Sequence, residues 1–127
     1  MTRAAPWVVL LALVAGIAAC VPTGGPNAEA CAAPSVTLEM APSPDGLAPG
    51  APSVCRDQEV TLVVDSAVDG VLHIHGYDSE VPAFEVSADD VTEITFVAGR
   101  SGQFPIEFHS ADDPTGVEVG VFTVHEP

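Results

Sequence analysis

Gly99-Arg100-Ser101-Gly102-Gln103-Phe104-Pro105-Ile106-Glu107-Phe108-His109 is the stretch on which the reading of the fold turns. From Phe104 onward, apolar Phe104, Ile106 and Phe108 alternate with Pro105, Glu107 and His109. A period of two puts one set of side chains in a core and the other in water, which is a half-buried strand. The glycines just before it mark a turn. The same pattern continues upstream, where Ile94, Phe96 and Ala98 alternate with Glu93, Thr95 and Val97. Earlier still, Val60, Leu62 and Val64 alternate with Thr61, Val63 and Asp65. Asp69-Gly70 is a hairpin signal, with Val71 to Tyr77 predicted as the strand that follows it. Phe84 and Val86 suggest a strand within 81–87, and Val36 to Met40 an early one. Val117 to Val124 is more continuously apolar, as a central strand is. Ala41 to Pro52, with Pro42, Pro44, Pro49 and Pro52, cannot be a helix or a central strand and is predicted to be an ordered loop. About seven short strands at the spacing of about 8–12 residues typical of sandwiches make an all-β antiparallel sandwich or barrel.

The N-terminus has a different grammar. Met1-Thr2-Arg3 precedes an uncharged apolar run from Ala4 to Ala19, shorter than the roughly 20 residues that span a bilayer. A basic start, a brief apolar region and small residues at its end are the layout of a cleaved secretory signal peptide. Ile17-Ala18-Ala19-Cys20 resembles the lipobox of bacterial lipoproteins, in which the cysteine thiol is acylated and becomes the new first residue. The alternative is an ordinary leader cut near Ala19. The resulting division is residues 1–19 as signal peptide, 20–33 as lipidated Cys20 with a Pro/Gly-rich tether, and 34–127 as the folded domain. Such a protein is expected at the cell membrane, lipid-anchored, on the extracytoplasmic side. In that oxidising compartment Cys31 and Cys55 are predicted to form a disulfide, two free thiols being the alternative. Closing a ring of about 25 residues is worth roughly 3.5 kcal/mol on the chain-entropy argument.

Charge narrows the partners. The chain has 3 basic and 18 acidic residues and a formal net charge of −15, which becomes −16 once Arg3 leaves with the signal peptide. With Arg56 and Arg100 as the remaining cations, neither nucleic-acid phosphates nor anionic lipid head groups are expected ligands. A field of this sign attracts cations, and it also keeps a monomer soluble.

His73-Ile74-His75-Gly76-Tyr77-Asp78, together with the 99–109 stretch and its return through Val119-Gly120-Val121-Phe122-Thr123-Val124, resembles the cupredoxin-like family over roughly residues 58–125, about half of the chain. The resemblance implies a Greek-key β-sandwich of antiparallel and mixed sheets, with a first metal histidine in the 73–78 stretch. It departs from the electron-transfer members at two positions. Phe108 stands where they place the copper-ligating cysteine, and Glu118 where they place the methionine. Type 1 copper needs a thiolate with two imidazoles, so electron transfer is not expected.

Four histidines fall late in the chain: His73, His75, His109 and His125. In a strand, positions i and i+2 share a face, so His73 and His75 point together, as do Glu107 and His109. Imidazole with carboxylate suits Cu(II), Zn(II) or Ni(II). The best candidate ligands are His75 and His109, then His73; His125 is expected to fray near the terminus. Simple alternation turns His75 outward unless a bulge at Gly76 shifts the register. Solvent-facing histidines also need no purpose, and one of them can brace a loop with Tyr77 or Asp78. No nucleophile-elbow pattern surrounds Ser66, Ser79 or Ser110, and no phosphate-binding glycine loop is present, so an enzyme is not expected. Three readings follow. The first is a monomeric, membrane-anchored lipoprotein with a non-redox cupredoxin-like binding or structural module, partnered by an envelope protein. The second is a periplasmic or cell-surface protein that binds Cu(II) or Zn(II) through His75 and His109. The third is an immunoglobulin-like adhesion module, separable by strand order.

Overall fold

A computed structural model describes residues 28–127; the predicted signal peptide, the predicted lipidation site Cys20 and the predicted tether as far as Asn27 lie outside the described residues. Nine strands follow a short helix, α1 (Ala28–Ala32): β1 (Ser35–Ser43), β2 (Gly46–Ala48), β3 (Ser53–Cys55), β4 (Glu59–Val64), β5 (Gly70–Ile74), β6 (Phe84–Val86), β7 (Thr92–Val97), β8 (Gly102–Ser110) and β9 (Val117–His125). They form a four-stranded sheet in the order β2-β1-β4-β7 and a five-stranded sheet in the order β3-β9-β8-β5-β6. The expected all-β sandwich is what forms. β1 runs parallel to β4 and β3 parallel to β9, so each sheet is mixed. An immunoglobulin sandwich is built of antiparallel sheets, and the strand order therefore removes that reading.

The core follows the period of two. Val60, Leu62 and Val64 from β4 face Leu72 and Ile74 from β5, Ile106 and Phe108 from β8, and Phe122 and Val124 from β9, all buried. Tyr77, Phe96, Phe104 and Phe122 complete the core at one end, with Tyr77 and Phe104 ring centroids 4.5 Å apart and Tyr77 edge-on to Phe122 at 5.6 Å. Edge-to-face contacts of this kind add to the area term in aromatic cores. β9 is flanked on both sides, as its apolar run predicts.

The proline-rich stretch 41–52 departs from its reading as a loop. Its start belongs to β1, and β2 pairs back on it as a small hairpin with Pro42 opposite Leu47. Pro42 is tolerated because the β1–β4 pairing ends at Met40, so its missing N–H has no partner strand to serve. Farther on, the segment offers acceptors: the Gly50 and Pro52 carbonyls take the N–H groups of Val121 and Thr123, each at 3.0 Å. A proline can do this as well as any residue, which is how strand pairing survives a composition that argues against it.

Residues 28–33, read as the end of the tether, instead close a corner of the domain. The Cys31–Cys55 disulfide forms as predicted. Beside it the buried Gln58 donates from its Nε2 to the carbonyls of Ala30 and Ala33, each at 2.8 Å, and accepts from the Cys55 N–H at 2.7 Å. His125 is not frayed. It pairs with Cys55 on β3, and its carbonyl accepts the Arg56 N–H at 2.8 Å.

β5 stops at Ile74, short of the predicted Tyr77, for a reason that lies on its neighbour. The Pro105 carbonyl accepts the His75 N–H at 2.8 Å. In an antiparallel ladder a residue's N–H and C=O point to the same partner, so the N–H that Pro105 lacks is the one that would have continued the pairing. The chain then turns through Gly76 at φ 77°. Tyr77 drops into the core, its N–H bonded to the Ile74 carbonyl at 3.0 Å.

Candidate metal centre

The β5–β8 register sets His73 directly opposite Glu107 and Val71 opposite His109. All four side chains stand on the outer face, because Leu72, Ile74, Ile106 and Phe108 occupy the inner one. His75, one residue past β5, lies on the same side, diagonal to Glu107. Diagonal neighbours are within reach of long side chains. The register therefore makes the His73–Glu107 rung the centre of the group, with His75 on one flank and His109 on the other. No bulge forms at Gly76. The register shift in this sheet falls instead between Ile106 and Glu107, against β9.

Distances follow from this placement. Glu107 Oε2 lies 3.8 Å from His73 Nδ1 and 3.6 Å from His109 Nε2, while Oε1 lies 4.0 Å from His75 Nδ1. Ligand atoms of His73, His75 and Glu107 all lie within 4.8 Å of one another. The rings of His73 and His75 meet edge-on at 5.5 Å, and those of His73 and His109 lie 6.4 Å apart. His73, Glu107 and His109 are partly buried, with side-chain exposures of 21%, 32% and 27%, whereas His75 is exposed at 63%.

Two outer contacts fix the chemistry. His73 Nε2 is 2.7 Å from Asp78 Oδ1, and this hydrogen bond holds the Asp78 carboxyl below the usual carboxylate range. An ionised carboxylate can only accept, so Nε2 carries the hydrogen, which leaves Nδ1 as the ring nitrogen turned toward Glu107 and free to act as a metal donor when it is unprotonated. Asp78, which the sequence suggested as a loop brace, thus orients an imidazole as the outer carboxylate partners of metal histidines do. The turn that carries His75 and Asp78 is itself pinned. Arg100 donates to the Gly76 carbonyl at 2.7 Å and to both carboxylate oxygens of Glu80 at 2.8 and 2.9 Å. Its guanidinium lies over the Tyr77 ring at 5.0 Å. The hydrogen bonds from Arg100 hold the Glu80 carboxyl down at about 2. Arg56 is likewise paired, to Glu126 at 3.0 Å. Both arginines of the described residues are thereby paired with carboxylates within the protein.

The sequence named three of these residues as candidate ligands and did not name Glu107, the common neighbour of all of them. Its signal was present, since Glu107 shares a face with His109; what was missing was the register that places it opposite His73. A type 1 copper centre does not fit here. Among the described residues both cysteines are joined in the disulfide. Phe108 is buried, with its ring packed so closely on Gly70 that a Cβ there would lie 2.6 Å from it.

The sequence matches no protein-family profile and no curated protein. Its structure is similar to solved copper proteins. A multi-copper oxidase of Pseudomonas thermotolerans aligns over 72% of this chain with a TM-score of 0.55 and 15% identity, the alignment covering 30% of the oxidase's own length. Auracyanin B aligns over 69% of this chain and 87% of its own, with a TM-score of 0.52 and 18% identity. Auracyanin A, a blue copper protein of the green thermophilic photosynthetic bacterium Chloroflexus aurantiacus, aligns over 72% and 99%, with a TM-score of 0.53 and 14% identity. At these identities the likeness is one of fold, and the fold is the cupredoxin-like β-sandwich.

Proposed function

We propose that this chain is an extracytoplasmic lipoprotein, tethered through an acylated Cys20, whose cupredoxin-like module binds a divalent cation, Cu(II) or Zn(II), without redox chemistry or catalysis of its own. The observation that carries the reading is the convergence of His73, His75 and Glu107 on the outer face of the five-stranded sheet, their ligand atoms within 4.8 Å of one another. Two imidazole nitrogens and a carboxylate oxygen are the donor set these ions take, with bonds of about 2.0–2.2 Å. An exposed His75 can close the remaining distance by side-chain rotation. The net charge of −15 raises the local cation concentration. A centre without thiolate has no type 1 character, which supports storage or delivery of the ion over electron transfer.

The test is calorimetric titration of the full chain with Cu(II) and with Zn(II). One-to-one binding at micromolar affinity or better is expected, weakened at least tenfold in His73→Ala. Weak uptake of many ions, unchanged in that variant, would mean that the acidic surface merely gathers cations and that the module serves an envelope partner instead. The anchor is checked separately by labelled palmitate incorporation in a bacterial host, expected in the native chain and absent from Cys20→Ala.

A further inference from the structure

Resting on that reading, the geometry points to His109 as a fixed ligand of the same ion, preset by the turn at 111–116, with His75 a mobile donor that joins afterwards. The argument begins with hydrogens. His109 Nδ1 lies 3.2 Å from the Pro114 carbonyl oxygen. A carbonyl can only accept, so Nδ1 carries the hydrogen and the Nε2 lone pair of the neutral ring faces Glu107 Oε2 at 3.6 Å. Asp78 imposes the matching tautomer on His73, whose Nδ1 approaches the same oxygen at 3.8 Å. In the neutral rings two lone pairs thus converge on one carboxylate oxygen, so that a metal ion entering between them would meet three donors already turned toward it. Donors sharing an ion at about 2.0–2.1 Å lie about 3–3.4 Å apart, a few tenths of an ångström closer than these.

The turn is shaped for this task. Gly116 takes φ +84°, and a Cβ there would fall 2.5–2.9 Å from three atoms of the His109 ring. A side chain at 116 would push the imidazole off its line to Glu107. The turn is held in its own right, with the Asp113 carboxylate accepting from the Thr115 N–H at 3.2 Å and from its hydroxyl at 2.5 Å. An open groove of ≈ 860 Å³ lined by His73, His109 and Pro114 reaches this side of the rung, giving an ion an entry path. His75 has no comparable support: its polar approach is to Glu107 at 4.0 Å, and it is the most exposed of the three histidines. Gly116 is accordingly a positioning residue and His109 a ligand.

The experiment uses the full chain with Cu(II) alone, read by affinity and by nitrogen hyperfine structure in electron paramagnetic resonance. His109→Ala is expected to lose affinity more than His75→Ala, and to lose one nitrogen from the spectrum. Gly116→Ala, which keeps every donor, is expected to bind about 10–100-fold more weakly with an altered spectrum, the effect typical of outer partners. Should that variant fail to fold, nitrogen NMR of the native chain gives the same answer: apo His109 is expected as the Nδ1–H tautomer, with Nε2 shifting on Zn(II) addition. Tight one-to-one binding that His109→Ala leaves intact would overturn this inference and leave the rung reading standing. Absence of stoichiometric binding in the native chain would overturn both.

Discussion

The two sheets show opposite uses of the same construction. On the four-stranded sheet, β4 and β7 pair antiparallel with Thr61 opposite Thr95 on the outer face, their hydroxyls 3.2 Å apart. On the five-stranded sheet, β5 and β8 pair antiparallel with His73 opposite Glu107. Both rungs cover equally buried interiors, Leu62 under one and Leu72 under the other. The threonine rung ends in a hydrogen bond between its own members and asks nothing more of its surroundings. The histidine rung is instead surrounded by groups that orient it: Asp78 on His73, the Pro114 carbonyl on His109, and the Arg100–Glu80 pair on the turn between. Outward-facing polar residues are the default of any half-buried strand. What distinguishes a site from a solvated face is that further contacts determine which atoms bear hydrogens.

The comparison can be broken or sharpened by experiment. The largest effects should be equal on both sides. Leu62→Ala and Leu72→Ala, each at a fully buried position, are expected to cost about 2–5 kcal/mol in urea unfolding. A much smaller cost at one of them would mean that the two faces do not share one core.

Next is linkage to the ion. Zn(II) at about 100 times its dissociation constant should stabilise the native chain by about 2.7 kcal/mol. At the same Zn(II) concentration that increment should fall to about 1.4 kcal/mol or less in His73→Ala, the value for tenfold weaker binding, and persist in Thr61→Ala. Grafting the rung to the other sheet, as Thr61→His with Thr95→Glu, is expected to give no stoichiometric binding, because it supplies a single imidazole among the exposed Glu59 and Glu93 carboxylates where the native site converges two or more. Tight binding by the graft would show that a bare His–Glu rung suffices.

A smaller effect concerns the turn that carries His75 and Asp78. Glu80 is held at about 2 by hydrogen bonds from Arg100. A depressed carboxylate stabilises the fold above its unfolded value, and that contribution is lost as the pH falls through its folded one. Glu80→Gln should therefore lower the thermal midpoint at pH 7, and its difference from the native chain should close between about pH 4.5 and pH 2. A difference that is independent of pH would assign the effect to packing. The smallest effect is at the threonine rung, where Thr95→Val should change stability by no more than about 0.5 kcal/mol.

The sequence by itself determined the sandwich. Alternation in 60–65, 93–98 and 104–109 is a local property of a half-buried strand, and each of these segments lies inside a strand or at its end. The Cys31–Cys55 pairing was also legible, since the lipobox reading assigns Cys20 to the lipid and leaves these two to each other. The existence of β2 and β3 was not, the segment 41–52 having the composition of a loop. Their pairing uses backbone carbonyls, which a proline supplies as readily as any residue, so composition carries no trace of it. The corner at Gln58 escaped notice because a single buried glutamine has no pattern.

In the candidate site, shared-face spacing within each strand identified His73 with His75 and Glu107 with His109. Only the tertiary structure decided how the two pairs meet. Register is a relation between strands far apart in the chain, set by core packing on the opposite face and by the end that Pro105 imposes on the β5–β8 ladder. Shifted by two residues, the same strands would keep every apolar side chain inside and bring different partners together outside. The face of each histidine is therefore written in local alternation, while its neighbour across the sheet, and with it the chemistry, is settled by the fold.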